Sequence, residues 1–540
     1  MVGNRKALLG LILLLITEVG WAQINRYMVF FKDKNGSPFS TTNPDQFLSQ
    51  KAITRRIKQG VTITEQDLPV NSNYISGVQQ AGAEVFFKSK WFNAVLVQCD
   101  ASLTSTLFQL PYVSNVEFVA PQAQLISRGR KKFSLRKNNT PNGGAQTAAQ
   151  LNLIGIPEMH QMGKKGEGMV IAVFDAGFPG VNNTAPFSHL FEKGKINAGF
   201  DFVYNTTDVF RYDAHGTEVL SVIAADVPDA FTGGAPEATF QLYVTEDDPT
   251  EYRIEEYNWA FAAEHADSSG VDIINSSLGY YDFDIPSMNY TKAQMDGKTA
   301  VITKAAQWAS DRGMLVVCSA GNEGNIASWR IITAPADAEG VLAVASVNAE
   351  GVRSSSSSIG PAADGRVKPD VAAMGVGVRV INERGSLSSV SGTSLSAPLI
   401  TALVAGVWQT YPDLTSKEIM QLIKETASQA KNPDNFLGYG IPNYKAIVNF
   451  KDQFVQERTF EVFPNPTNDT IVISPIDPDS ITTCQVELIS ALGQIIAKEQ
   501  INFSWLNRNY KADLSSLSAG LYYVRILYAD RRYIFRVVKE

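Results

Sequence analysis

The chain has 540 residues, which is too long for one compact domain and predicts two to four domains. Hydrophobic residues make up 44% of it, so large cores can form, and the net charge of −7 gives no reason to expect a nucleic-acid partner. The three cysteines fall in three different predicted segments, so disulfides within a domain are not expected: Cys99, Cys318 and Cys484.

Residues 1–22 have the composition of a secretion signal peptide. Asn4-Arg5-Lys6 is polar and basic, and the apolar stretch from Ala7 to Ile16 is too short to span a bilayer. Gly20-Trp21-Ala22 offers small residues at the cleavage positions, which predicts cleavage after Ala22 and a secreted chain.

Residues 23–125 are predicted to form a separate α+β unit. Apolar β-rich runs and helical stretches alternate as strand, helix, two strands, helix, strand, which is the split βαβ pattern of ferredoxin-like folds. The predicted strands are Tyr27–Phe31, Glu84–Phe87, Ala94–Val97 and Val113–Val119, and the predicted helical stretches are Pro44–Lys58, Tyr74–Gln80 and Leu103–Leu110.

Residues 126–150 lose this periodicity and are predicted to be an exposed linker. Six basic residues crowd a short window, and an Asn/Gly-rich stretch follows: Arg128, Arg130, Lys131, Lys132, Arg136 and Lys137, then 138–144. A solvated spacer and a processing site both remain open for this segment. We expect the secreted form to start between Arg128 and Gln150.

Residues 151–452 are predicted to form an α/β domain with helices on both faces of a parallel sheet. Short apolar runs predict five buried strands: Met169–Phe174, Phe240–Val244, Val271–Asn275, Met314–Cys318 and Val341–Ala345. Between them, Glu251–Asp267 and Gly297–Arg312 have helical length and amphipathic spacing. In such folds functional residues collect at the carboxyl ends of the strands.

Four polar residues stand at such positions. Asp175 ends the first strand, His215 begins a helical stretch, and Asn322 lies in a Gly-rich turn after another strand. Ser394 stands where a polar loop opens into the apolar helical run 399–408. Each has an ordinary explanation alone, for Ser394 a helix N-cap. Together they supply a nucleophile, a general base, its orienting carboxylate and an oxyanion donor.

The stretches around these residues resemble the motifs of subtilisin-like (S8) serine peptidases, in the family's order Asp, His, Asn, Ser. They are 173–177, 215–217, 320–324 and 392–398. The resemblance implies a subtilisin-like parallel sheet and peptide-bond hydrolysis through an acyl-enzyme. It implies that Asp175, His215 and Ser394 are catalytic, that Asn322 and the Ser394 N–H bind the oxyanion, and that Thr393 supports that site.

The resemblance extends to substrate binding and to regulation. It implies that protein or peptide substrates pair with the segment Asn275, Ser276, Ser277, Leu278 and Gly279, and that this segment and Ala320-Gly321 wall a roomy apolar S1 pocket. Residues 23–125 are similar to the family's pro-segments, which implies a chaperone and intramolecular inhibitor. We expect a monomer.

No cofactor or metal is expected. None of the four histidines belongs to a His-Glu-x-x-His pattern, which disfavours zinc-dependent hydrolysis. The segment Ala225–Ala230 departs from the calcium-binding loop of bacterial subtilisins, so that ion is not carried over to this chain. Asp226 and Asp229 could ligate calcium, but exposed turn carboxylates are favoured.

Residues 456–540 contain about seven short β-rich runs, which predict a small β-sandwich. An accessory binding module is one interpretation. Phe463–Pro466, Leu514–Tyr522 and Arg536–Lys539 resemble the C-terminal sorting domain of type IX secretion substrates. That resemblance implies the type IX machinery as a partner, and export through both membranes of a Gram-negative envelope to the cell surface or the medium.

Two other functions compete with that of a peptidase. A catalytically inactive surface-binding protein on a peptidase fold would have no chemical need to keep all four motif residues. A lipase or esterase needs Gly-x-Ser-x-Gly, whereas Ser396 stands two positions after Ser394. The sequence therefore favours a secreted serine endopeptidase and leaves its cleavage specificity open.

Overall fold

The computed structural model describes residues 24–121, 147–455, 460–476, 481, 483–491, 494–504, 507–528 and 531–540. The chain divides into two compact units between Tyr444 and Lys445. The predicted signal peptide and residues 126–146 of the predicted linker lie outside the described residues. Within the described part, no helix is long and apolar enough to cross a membrane.

Residues 24–121 form the predicted split βαβ unit, which we call the pro-segment. Its strands are β1 (Ile24–Phe31), β2 (Glu84–Ser89), β3 (Ala94–Asp100) and β4 (Val113–Pro121), and its helices are α1 (Gln50–Lys58), α2 (Ser72–Gln80) and α3 (Thr104–Phe108). The antiparallel sheet has the order β2-β3-β1-β4. This confirms the ferredoxin-like α+β prediction.

Strand β1 shows why both faces of this sheet are apolar. Tyr27, Val29 and Phe31 pack into a core within the pro-segment, while Met28 and Phe30 pack into the core of the following domain. Because successive side chains of a strand point to opposite faces, one run of apolar residues serves two cores. The pro-segment sheet is therefore docked on the rest of the first unit.

Residues 147–444 build the predicted α/β domain. Its helices are α4 (Ala148–Leu153), α5 (Ile156–Gln161), α6 (Ser188–Glu192), α7 (His215–Ala224), α8 (Ile254–Ser269), α9 (Val301–Asp311), α10 (Thr393–Thr410) and α11 (Ser416–Glu425), and α12 (Tyr444–Val455) follows. Its strands are β5 (Val170–Asp175), β6 (Ile196–Asp201), β7 (Asp226–Val227), β8 (Phe231–Thr232), β9 (Thr239–Val244), β10 (Ile273–Ser276), β11 (Leu315–Ser319), β12 (Val341–Val347), β13 (Val371–Met374), β14 (Val378–Ile381) and β15 (Leu387–Val390).

The central sheet is parallel and has seven strands in the order β13-β12-β11-β10-β5-β9-β6. The five predicted strands form its middle, each within two residues of the predicted bounds. The strands at the two edges of the sheet, β6 and β13, were not predicted. The predicted subtilisin-like sheet is confirmed.

Two details differ from the sequence predictions. Helix α4 begins at Ala148, so the last three residues of the interval 126–150 are helical rather than linker. Helix α8 was expected to show an exposed polar face, but Glu264 and Asp267 are buried because the pro-segment covers them.

Residues 460–540 of the second unit form two antiparallel sheets, as predicted for a small sandwich. The strands are β16 (Phe460–Phe463), β17 (Thr470–Pro475), β18 (Thr483–Ser490), β19 (Ile495–Asn502), β20 (Tyr510–Asp513), β21 (Gly520–Tyr528) and β22 (Arg531–Lys539). One sheet has the order β16-β17-β20 and the other β19-β18-β21-β22. Alternating side chains such as Ile471, Ile473, Val486 and Leu488 fill the core between them.

Candidate active site

Asp175 and His215 form a hydrogen-bonded pair at the carboxyl edge of the sheet. Asp175 is the last residue of β5 and is fully buried, and His215 is the first residue of α7. His215 Nδ1 lies 2.8 Å from Asp175 Oδ1 and 3.0 Å from Oδ2. A Cβ at Gly216 would lie 2.3 Å from the Gly177 carbonyl oxygen, so only glycine lets the helix start so close to the strand.

The pKa of His215 is raised by this pairing. Burial lowers the pKa, but the charge of the Asp175 carboxylate and its hydrogen bond raise it more, and Glu246 and Asp213 add to the rise, so that the pKa is raised from 6.5 to about 9. Since Nδ1 is held by Asp175, Nε2 is the nitrogen available to a nucleophile. The His215 side chain is 19% exposed, so that nitrogen has access to a ligand.

Ser394 is the second residue of α10, a helix buried along most of its length. Its Oγ donates to the backbone carbonyl of Ser277 at 3.4 Å, and among the described residues no hydrogen bond joins it to His215. The Ser394 carbonyl lacks its usual helical partner, because Pro398, four residues on, has no N–H. The Ser277 hydroxyl replaces that partner at 2.8 Å. Pro398 therefore lies in the second turn of the helix, where this compensation permits it.

Asn322 is oriented by Thr393. The Asn322 side-chain oxygen accepts from the Thr393 backbone N–H at 3.0 Å and from the Thr393 hydroxyl at 3.1 Å. Because a backbone N–H can only donate, the oxygen of the Asn322 amide must face it, and the Nδ2 amide is the donor left to face a substrate. The Ser394 N–H is one of the first-turn groups without a partner inside its helix. Both expected oxyanion donors thus lie beside Thr393.

The predicted substrate-binding segment follows β10, and its first two side chains are used inside the protein. Asn275 accepts from the Thr401 hydroxyl at 2.8 Å, and Ser276 accepts from the Trp259 indole at 3.0 Å. Both are fully buried. The side chains of Asn275 and Ser276 therefore serve the interior of the domain, and their backbones lie in the sheet between β11 and β5. Substrate binding by residues 275–279 stays a prediction.

Thr333 lies near both segments that are predicted to wall the S1 pocket. Thr333 is buried between them: its Oγ1 would lie 3.0 Å from a Cβ at Gly279 and 2.7 Å from one at Gly321. A Cβ at Gly321 would also lie 2.4 Å from Glu323 Oε2, which accepts the Ser358 hydroxyl at 2.7 Å. The surroundings of Gly321 are thus hydroxyls and a carboxyl group. That residues 275–279 and 320–321 wall a roomy apolar S1 pocket stays a prediction.

The other predicted wall residues pack into the domain. Leu278 is 3% exposed, and its carbonyl accepts from the Ser319 hydroxyl at 3.4 Å. Ala320 is fully buried, and its N–H donates to the Val344 carbonyl at 3.0 Å. Sequence reasoning did not identify Thr333, whose local sequence carries no signal of its position.

The expectation of no metal site can be compared with the side chains present. Within the described ranges, no group of three or more His, Cys, Asp or Glu side chains is placed to hold a metal ion. The segment 225–230 lies in a short hairpin of β7 and β8, with Asp226 and Asp229 exposed.

The seven-stranded parallel sheet, the Asp–His pair and the helix-entry serine are features of a serine-type peptidase. The subtilase family model matches residues 166–440, slightly more than half of the chain. The chain belongs to the subtilase family. A peptidase S8 propeptide domain of Bacteroidota matches residues 26–137, and a secretion system C-terminal sorting domain matches residues 461–540. The sorting domain indicates type IX export to the cell surface or the medium.

Individual relatives are moderately similar to this chain. Subtilisin NAT from Bacillus subtilis subsp. natto is 25% identical over 377 residues, covering 69% of this chain and 84% of the relative. A thermostable alkaline protease from Halalkalibacterium halodurans is 28% identical over 335 residues, covering 62% of this chain and 82% of the relative. Among solved structures, MycP1 from Mycobacterium smegmatis has a TM-score of 0.47 and 23% identity, covering 58% of this chain and 87% of that one.

Proposed function

We propose that this protein is a secreted endopeptidase that hydrolyses peptide bonds through Ser394, His215 and Asp175. The observation that carries the proposal is the pair of contacts, 2.8 and 3.0 Å, between a fully buried carboxylate and His215 Nδ1. A buried carboxylate in that position fixes the tautomer of the imidazole and stabilises its protonated form. A helix-entry serine tied to the substrate-binding segment completes the set.

The proposed reaction begins with attack of Ser394 Oγ on the substrate carbonyl carbon. His215 Nε2 takes the hydroxyl proton, and the C–O bond forms while the carbonyl becomes an oxyanion. The Ser394 N–H and the Asn322 Nδ2 amide donate to that oxyanion. Collapse of the intermediate breaks the C–N bond, and His215 returns the proton to the leaving amine. Water, deprotonated by His215, then hydrolyses the acyl-enzyme and restores Ser394.

The flanking segments define when and where this activity operates. We propose that residues 23–125 inhibit the domain behind them until the chain is cut between Arg128 and Gln150. Support comes from the docked pro-segment sheet and from the S8 propeptide match. The sorting domain then engages the type IX secretion machinery as its partner. The substrates are proteins or peptides outside the cell.

The test is Ser394→Ala in the full chain. Casein digestion followed by mass spectrometry should show peptide products for the parent protein and none for the variant, and a fluorophosphonate probe should label only the parent. Ser396→Ala is a matched control, since its hydroxyl stands two residues further along α10 and has no hydrogen-bond partner among the described residues. Labelling of the Ser394→Ala protein would refute the nucleophile. A processed parent that neither digests nor reacts would instead support the inactive binding protein.

A further inference from the structure

Helix α1 of the pro-segment lies across the ends of two helices of the peptidase domain, α8 and α11. The Ser49 N–H before it donates to the Ser268 carbonyl at the end of α8, at 2.8 Å. The Gln59 side chain after it accepts from the Ser416 N–H, the first residue of α11, at 2.8 Å. Gly270 has a φ of 89° and leaves no room for a Cβ, which would lie 2.8 Å from Lys51. The end of α8 is thus shaped to accept a helix.

A buried carboxylate at this end of α8 is surrounded by cations of the pro-segment. Asp267 is fully buried, and Arg55 Nη2 lies 2.6 Å from its Oδ1. Arg56 Nη2 lies 2.9 Å from both of its oxygens, and Lys90 Nζ lies 3.2 Å from Oδ2. Arg55 also donates to the backbone carbonyl of Val271. We call Asp267 with Arg55, Arg56 and Lys90 the arginine clasp.

In a second charged contact, the peptidase domain supplies the cation and the pro-segment supplies the carboxylate. Arg312 of the peptidase domain donates from Nε to Asp67 of the pro-segment at 2.8 Å, and its guanidinium lies 4.5 Å from the centre of the Trp91 ring. Asp67 also pairs with Arg56 at 3.1 Å, so both contacts belong to one network. Asp67, Arg56 and Arg312 are 5% exposed or less. Charges buried to this extent are tolerated only when each has its partner.

Asp267 needs the pro-segment more than an ordinary helix carboxylate would. It lies in the last turn of α8, where the helix dipole disfavours a negative charge. Burial raises the pKa of Asp267, but Lys90, Arg56, Arg55 and Arg312 together lower it well below its usual range. Without the pro-segment, this end of the helix would present a carboxylate and backbone carbonyl oxygens. Those acceptors match the planar donors of a guanidinium group.

We propose that this notch, residues 267–271 at the end of α8, is a binding site for the Arg55-Arg56 pair that holds the pro-segment on the peptidase domain after the linker has been cut. The site is separate from the cleft around Ser394, and retention through it does not require the cleft to be occupied. Its regulatory meaning, delayed activity after processing, rests on the proposed function, but the binding itself does not.

The test separates cutting from catalysis by using the full chain with Ser394→Ala. Limited trypsin treatment cuts the basic stretch 128–137, intact mass identifies the two products, and size-exclusion chromatography shows whether they stay together. With the clasp intact, the cut pro-segment should co-elute with the remainder. With Asp267→Asn added, Arg55 and Lys90 lose this carboxylate and Arg56 keeps only Asp67, so release should be faster by roughly 100-fold or more. Co-elution unchanged by Asp267→Asn would overturn the proposal.

Two further variants guard against a folding defect and against a general charge effect. Arg56→Met changes only the pro-segment, so the peptidase domain keeps its own sequence, and it should release the cut pro-segment faster too. Lys58→Ala removes an exposed cation of α1 and should release it at the parent rate. Equal release by Lys58→Ala and Arg56→Met would refute the clasp. If instead the Ser394→Ala chain digests casein, the proposed function fails while the retention result stands.

Discussion

The Asp175–His215 pair makes a prediction about pH that can be worked from the structure. His215 must be neutral to accept the proton of Ser394, and its pKa is raised from 6.5 to about 9. The imidazole is therefore protonated at neutral pH, and the active fraction grows as the pH rises through about 9. We expect kcat/KM to increase with pH, with its half-maximum near 9. All the residues that raise this pKa belong to the peptidase domain, so the effect should persist after the pro-segment is lost.

Asp175→Asn tests the cause of that rise. The interval from 6.5 to about 9 corresponds to about 3 kcal/mol in favour of the imidazolium, most of it from Asp175. Removing the charge should move the half-maximum towards 6.5. It should also lower kcat roughly 10⁴-fold, the loss that the same substitution causes in another Ser-His-Asp peptidase, because the tautomer is no longer fixed. Glu246→Gln is the control. Glu246 raises the pKa of His215 less than Asp175 does, so this substitution should shift the pH profile less.

The measurement has two independent forms. The first is a kcat/KM profile from about pH 6 to pH 10.5 with a chromogenic peptide. The second is an NMR titration of the imidazole protons in the Ser394→Ala chain, which is feasible because the chain has only four histidines. If His215 titrates at or below 6.5, or if Asp175→Asn leaves the profile in place, the electrostatic reasoning is wrong.

Two more substitutions probe the groups around the nucleophile. Asn322→Ala should lower kcat by roughly 10²–10³-fold with KM little changed, as measured for the same group in a member of this family. Thr393→Val, which keeps the backbone donor to Asn322 but loses the hydroxyl, should lower kcat less, and equal losses would contradict the orienting role of that backbone N–H. Thr333→Gly should open the S1 pocket and raise kcat/KM for a Phe relative to an Ala P1 residue about tenfold or more in a peptide library. Thr333→Ser is the control, and an unchanged Phe-to-Ala ratio would show that Thr333 does not limit the pocket.

The sequence predicted the sheet and the strand-end residues because both depend on local patterns. Buried parallel strands are continuous apolar runs, and polar residues such as Asp175 at their ends stand out against that background. The pairing of Asp175 with His215 follows from the shared carboxyl edge of the sheet and from the family resemblance. The geometry around these residues could not be predicted, because it depends on contacts between distant residues. An example is the pair of hydrogen bonds between Ser277 and Ser394, which lie 117 positions apart.

Thr333 and Asp267 show what a single sequence cannot reveal. Thr333 stands 54 positions after Gly279, and nothing in its neighbours indicates that its side chain lies between the two walls of a pocket. Asp267 resembles an exposed carboxylate on the polar side of a helix, and its burial depends on Arg55 and Arg56, more than 200 positions earlier. In both cases the decisive neighbour is set by tertiary packing rather than by local periodicity.

The arginine clasp also joins inhibition to assembly of the substrate-binding segment. Arg55 donates to the Val271 carbonyl and Lys51 to Asp272 at 3.2 Å, so the pro-segment holds the connection between α8 and the central strand β10. Asp272 Oδ2 in turn accepts the Val170 N–H at 2.9 Å, at the start of the neighbouring strand β5. Pairing between parallel strands stabilises the fold only after segments distant in sequence have been brought together. Such strand registers therefore form slowly. We expect a pro-segment bound to residues 271–272 to favour the pairing of β10 with β5 that places residues 275–279 beside Ser394. The contacts that we propose to delay activity thus also support the central strand, and we expect variants weakened for earlier release to fold more slowly.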